Sequence, residues 1–163
     1  MFQHLDRIDI DILRILQEDS TKAIKDIAKE VGLSATPTYE RIKRLENDGV
    51  IKKYIAVLDG IKIGLDIVVY CNVTLKEQTK EALQNFEKTA ASLPQVLEVI
   101  GLSGNYDYML KIVSPNIHAY NDFLMNEFSS IPNIGQFHSN IVLGDIKSNS
   151  PYPLDHLTKK QAG

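Results

Sequence analysis

Arg41, Lys43 and Arg44 fall within four residues, and Ser34, Thr36, Pro37 and Thr38 run just ahead of them. Short hydroxyl side chains followed by guanidinium and ammonium groups are the equipment for reading a nucleic-acid duplex. The N-terminal half of a helix can enter the major groove, and Arg pairs bidentately with a guanine edge or with phosphate. Lys52 and Lys53 follow on the run "VIKKYIAVLD" and can bring two more cations to a backbone. A helical bundle with a solvated basic face, used for protein contacts, would show the same residues, and Glu40 and Glu46 dilute the patch.

A second stretch with chemical content is "LSGNYD", residues 102–107. Gly104 permits a tight turn and close backbone approach. Asp107 can receive an ammonium group, and backbone N–H groups exposed by such a turn can receive a carboxylate, which is what an amino-acid ligand presents. A plain β-hairpin turn carries the same residue types.

Charge decides little by itself. The chain of 163 residues has a net charge of −3, which argues against indiscriminate coating of nucleic acid but permits a local basic patch. Residues 34–54 hold five Lys/Arg against three acids, whereas residues 1–60 hold ten against eleven. Apolar residues make up 44%, an ordinary share for a soluble globular protein. No apolar run approaches the roughly 18 residues that cross a membrane, and acids interrupt the N-terminal apolar pattern, so no signal peptide is expected. One cysteine, Cys71, excludes an intrachain disulfide and is expected as a small buried hydrophobe. These features place the expected protein in the cytoplasm.

Two kinds of periodicity divide the chain, and they define the elements that must position these residues. In residues 1–50 the apolar positions follow helical spacing. Leu5, Ile8, Ile12, Ile15 and Leu16 form one stripe, with Asp6 opposite it as a cap and Asp9 and Asp11 on flanks open to water. Ile24, Ile27, Ala28 and Val31 form a second stripe, ended by Gly32. A third helix starts at Ser34 or Thr36, both able to cap, with Pro37 in its first turn. Thr38, Tyr39, Ile42 and Leu45 face inward, and the helix stops at "NDG". Residues 51–64 are expected as a wing strand and hinge.

From Leu65 to Leu75 every odd position is apolar, the period of a strand with one buried face. A helix, two strands joined around Gly104-Asn105, a second helix and a last strand follow. The order over residues 65–147 is βαββαβ, the ferredoxin-like arrangement. The fold class is therefore α+β: an N-terminal winged helix-turn-helix and a C-terminal ferredoxin-like domain. Val68 and Tyr70 fall on the second face of the first strand, a mixed face suited to sheet-to-sheet pairing or to an ordinary half-wet sheet. Residues 148–163 are expected as a flexible tail.

In order and spacing, "LDRIDIDILRILQEDS", "IAKEVGLSATPTYERIKRLENDGVI" and "GNYDYMLKI" resemble the leucine-responsive regulator (Lrp/AsnC) family over nearly all of residues 3–147. The resemblance implies double-stranded DNA as a partner, with Ser34, Thr36, Pro37, Thr38, Arg41, Lys43 and Arg44 in contact. It also implies a C-terminal domain that answers to a small amino acid or related metabolite, and a homo-oligomer built from dimers, often an octamer. The effector turn would comprise Ser103, Gly104, Asn105, Tyr106 and Asp107, with His138 and Ser139 from the last strand. The family often has Thr-x-Thr there, and this chain has Phe137-His138-Ser139.

Catalysis is not expected. His4, His118, His138 and His156 form no spaced metal motif, no phosphate loop or nucleophile elbow is present, and no cofactor is expected. Asp107 and His138 on neighbouring strands are the one conceivable acid/base pair. Relatives of similar architecture that decarboxylate sirohaem would need basic side chains for the tetrapyrrole carboxylates, and residues 61–163 offer eight lysines and no arginine. A pure assembly module without effector is the remaining alternative.

Overall fold

The computed structural model describes residues 5–159; His4 and the last four residues of the tail lie outside the described residues. The elements run α1 (Arg7–Glu18), α2 (Ile24–Glu30), α3 (Ala35–Asn47), β1 (Ile67–Leu75), α4 (Lys80–Ala91), β2 (Val96–Gly101), β3 (Tyr108–Ser114), α5 (Ile117–Asn126), β4 (Ile134–Ile141) and α6 (Asp155–Lys159). They form two compact units. One holds the N-terminal segment to Ala56 together with the chain from Lys147 onward, and the other is Val57–Ile146.

In the first unit, Ile12, Leu13, Ile27, Ile42 and Leu45 are buried together, with Leu5, Ile8, Ile15, Leu16 and Val31 packed around them. The expected stripe of α1 is thus present but too narrow. Ile10, on the opposite side of the helix from Ile12, is also fully buried. Gly32 adopts φ +71, and the Leu33 N–H donates to the Ala28 carbonyl at 2.9 Å, a left-handed stop that turns the chain sharply into α3. Ser34, not Thr36, is the N-cap of α3, so Pro37 lies in the first turn, where no N–H is required. Thr38, Ile42 and Leu45 face inward as expected. Tyr39 does not, being 47% exposed. One residue on from Thr38, it is rotated about 100° off that stripe.

Two expectations for this part of the chain fail. No strand forms at residues 51–59, and Tyr54, Ile55, Val57 and Leu58 are exposed. A strand-like pattern needs a neighbouring strand to satisfy its N–H and C=O groups, and these residues have none among the described residues. Within the segment expected as a loose tail, residues 152–155 instead fold back. Leu154 packs on the first core, the Arg14 guanidinium donates to Asp155 at 2.8 Å, and the Tyr152 N–H donates to Gln17 Oε1 at 2.8 Å. Low apolar content pointed to mobility, but one leucine and two polar contacts dock this segment.

The second unit is a four-stranded antiparallel sheet in the order β2-β3-β1-β4, the ferredoxin-like topology. The side chains of Thr79 and Asn116 cap α4 and α5. Odd residues of β1 (Val69, Cys71, Val73 and Leu75) join Leu110, Ile112, Phe86, Ala90, Tyr120, Phe123 and Phe128 in one core. Even residues form the other face, where Tyr70 pairs with Lys111 and Asn140, and Asn72 with Met109 and His138. The buried residues of α4 and α5 lie in the core on the opposite side of the sheet.

Cys71 lies at the centre of the covered face with no exposed surface. Burial pushes its thiol up to about 11, a rise that Ser139 partly offsets. The thiolate is the reactive form, so the native protein should resist aromatic disulfide reagents at pH 8, whereas denatured protein should release one thiol equivalent per chain. Rapid stoichiometric reaction of the native protein would show that β1 is not closed over.

Candidate nucleic-acid interface and ligand site

The exposed start of α3 consists of Ser34, Ala35 and Thr36. Ser34 has extended backbone and its hydroxyl makes no capping bond, so it is available to an outside partner. Pro37 is partly covered. Thr38 is fully buried and its hydroxyl donates to the Ser34 carbonyl at 3.0 Å, which removes it from the expected DNA-contacting set. A threonine facing the core can only satisfy its hydroxyl on the preceding turn.

The cations are less free than their sequence suggests. Arg41 donates through Nη1 to Asp6 Oδ2 at 2.6 Å and to Asp9 Oδ1 at 2.8 Å. Arg44 donates through Nη2 to Asp9 Oδ2 at 2.6 Å, although half of its side chain remains exposed. Lys43 pairs with Glu46 at 2.6 Å and lies over the Tyr39 ring, 5.7 Å from its centroid. Each cation of α3 therefore already has an acidic neighbour.

Asp9 is the centre of this arrangement. Expected on a flank reached by water, it is only 1% exposed. It is the third residue of α1, and its carboxylate accepts the Asp6 N–H at 3.1 Å while the Asp6 carboxylate accepts the Asp9 N–H at 2.9 Å. This reciprocal capping box satisfies donors at the helix start, where the dipole also favours negative charge. The two arginines supply the countercharge that makes burial of Asp9 tolerable. At Asp6, burial acts to raise the carboxyl pKa, but the Asp9 N–H and the Arg41 guanidinium together outweigh it, so the net shift is downward.

In the second unit, Ser103, Gly104 and Asn105 form an exposed turn, with Gly104 at φ +138, a conformation open to glycine and strained for other residues. Asp107 is anchored differently from expectation. One oxygen accepts the Leu75 N–H at 2.7 Å and the other accepts the Gln78 amide at 2.8 Å, so its carboxylate braces the turn against the end of β1. It is not paired with His138, and the conceivable acid/base pair does not form. Tyr106 does meet His138, edge-on at 5.7 Å between ring centroids, which joins the turn to the open face of β4. Ser139 points to the other face, where its hydroxyl and that of Tyr120 are 2.6 Å apart. Consecutive strand residues alternate faces, so His138 and Ser139 cannot line one site on this sheet.

Sequence reasoning missed Asp9 and Tyr39 at the first site and Gln78 at the second. The three-residue spacing of Asp6 and Asp9 was a usable signal for a capping box; the arginine partners, 35 and 32 residues away, left no local trace. Replacing Asp9 by Ala removes the box, leaves Arg44 without its carboxylate and leaves Arg41 with Asp6 alone. Because both arginines retain access to water, the expected loss is about 1–3 kcal/mol rather than the larger cost of a fully buried pair. Chemical denaturation would measure it, and an unchanged midpoint would show that Asp9 does not hold α1 to α3.

Comparison with known proteins agrees with this architecture. Residues 5–52 match the family model described as winged helix-turn-helix DNA-binding, and residues 68–152 match that of the Lrp/AsnC ligand binding domain. The chain is 38% identical over 150 residues to the Bkd operon transcriptional regulator of Pseudomonas aeruginosa, covering 92% of this chain and 98% of that protein. An AsnC family transcriptional regulator from Agrobacterium tumefaciens superposes with a TM-score of 0.86 at 40% identity, over 93% of this chain and 98% of the other. A transcriptional regulator from Neisseria meningitidis, solved as an L-Met complex, superposes with a TM-score of 0.88 at 30% identity, over 94% and 99%. The two family models fall on the helical unit and the sheet unit in turn; the chain belongs to the Lrp/AsnC family of transcriptional regulators.

Proposed function

We propose that the protein binds operator DNA as a homo-oligomer through α3, and that an amino acid or related metabolite held by the sheet unit changes that binding. The observation that carries the reading is the exposed first turn of α3, Ser34 to Thr36, mounted on a helix fixed by Asp9. Lys43 and the exposed half of Arg44 supply phosphate contacts beside it, with Lys52 and Lys53 further along the chain. Arg41 orients the helix. Such a protein acts where the DNA is, in the cytoplasm of a bacterial-type cell, and no catalytic role is assigned to any residue.

Two surfaces support oligomer formation. The uncovered sheet face mixes Val68, Tyr70 and Met109 with polar residues, and the strand-like segment from Tyr54 to Leu58 exposes apolar side chains without a ladder partner. Dimers joined there, and dimers of dimers up to an octamer, would place recognition helices on half-sites one helical turn or a multiple apart. The turn Ser103–Asn105, with Tyr106 and His138 beside it, is the proposed effector site. The L-Met complex of the Neisseria relative supports an amino-acid ligand. Coupling then requires that the effector favour one assembly or DNA-bound state over another.

Replacing Lys43 by Ala should weaken binding to every duplex alike and reduce the slope of log affinity against log salt by about one unit per recognition helix. An unchanged slope in anisotropy titrations would remove Lys43 from the interface. Thermal-shift screening against the twenty amino acids should single out a ligand, since saturation to a hundred times Kd adds about 2.7 kcal/mol of stability. A flat screen would overturn the amino-acid assignment and favour an assembly module without effector.

A further inference from the structure

The three cations that dominate α3 in the sequence are all engaged by acids, and this changes which side chains are left to read bases. Arg41 and Arg44 lean toward α1, where Asp6 and Asp9 hold them. Away from the core and from that flank, the helix presents Thr36, Tyr39, Glu40 and Lys43, a spacing of three, four and seven residues that forms one continuous strip. Lys43 is paired with Glu46 and covers part of the Tyr39 ring. Tyr39 is 47% exposed and its hydroxyl has no partner among the described residues. Glu40 is exposed and makes no ion pair or hydrogen bond among the described residues.

An unpartnered carboxylate on a helix that approaches a polyanion is repelled by the phosphates at long range. It is compatible with tight binding where it accepts a hydrogen bond from a base, and the donor it fits in the major groove is the cytosine N4 amino group. The adjacent tyrosine ring offers an apolar face to a thymine methyl and a hydroxyl to a neighbouring base edge. We propose that Tyr39 and Glu40 determine which operator sequence is bound, while Arg41 and Arg44, held by Asp9, position the helix and touch phosphate at most. This rests on the reading above that α3 enters the major groove.

The test is selection of duplexes from a random pool by the full-length parent, Tyr39→Ala, Tyr39→Leu and Glu40→Gln proteins. Anisotropy titrations on the parental consensus and on a scrambled duplex at one salt concentration accompany it. Both positions are exposed, so melting temperatures should stay close to the parent's. The Tyr39 variants should lose about tenfold in the ratio of consensus to scrambled affinity, the scale of one base contact. Glu40→Gln should change the preferred base at one position per half-site from cytosine toward adenine, the base a glutamine amide reads. Arg44→Lys, which keeps the charge but loses the planar fork, should lower affinity on both duplexes and leave the consensus unchanged. Parental consensus and parental discrimination in the Tyr39 and Glu40 variants would overturn the inference, as would an altered consensus in Arg44→Lys. A parent protein that enriches no sequence would overturn the DNA-reading function itself, and this inference with it.

Discussion

Asp9 is where the first and third helices of the DNA-binding unit meet. One carboxylate closes the capping box of α1 and accepts guanidinium bonds from two turns of α3. A buried acid at a helix N-terminus is tolerated because the dipole, the Asp6 N–H and two cations surround it. The same contacts fix the rotation of α3 about its own axis, since Arg41 and Arg44 must both reach one carboxylate. Rotation of that helix decides which of its side chains are presented outward, so the exposed strip of α3 depends on a carboxylate that is itself buried.

The sheet unit uses a carboxylate in a comparable way. Asp107 ties the turn after β2 to the end of β1 through Leu75 and Gln78. Asn133, at φ +72, exchanges side-chain bonds with the backbone of Glu77 close by. These bonds hold the segment after β1 while leaving Ser103, Gly104 and Asn105 exposed. A turn braced from behind and open in front needs little ordering of its backbone donors, which is what the effector site proposed above would require.

The uncovered parts of the chain share a physical character. The segment from Tyr54 to Leu58 has the composition of a strand and no ladder, and the second face of the sheet has mixed polarity and no helix. The apolar side chains of the segment stay exposed at a cost. Both features are surfaces that the oligomer proposed above would cover.

Local pattern was enough to read most of the architecture. Apolar spacing identified the three helices and the alternation of β1. Gly32 and Gly49 marked helix ends, and the order of elements specified the βαββαβ topology, because these depend on neighbours within a few residues. What local pattern could not supply was the partner of each polar group. Thr38 and Tyr39 are adjacent, yet only the packed helix shows that one is buried and the other exposed. The tail is poor in apolar residues, yet Leu154 docks on the first core, and "YIAVLD" has the composition of a strand but no ladder partner among the described residues. Arg41, Lys43 and Arg44 were visible as charge from the sequence alone. That two of the three answer to Asp9 was decided by tertiary structure, because a carboxylate more than thirty residues away competes for a guanidinium only when folding brings it within hydrogen-bonding distance.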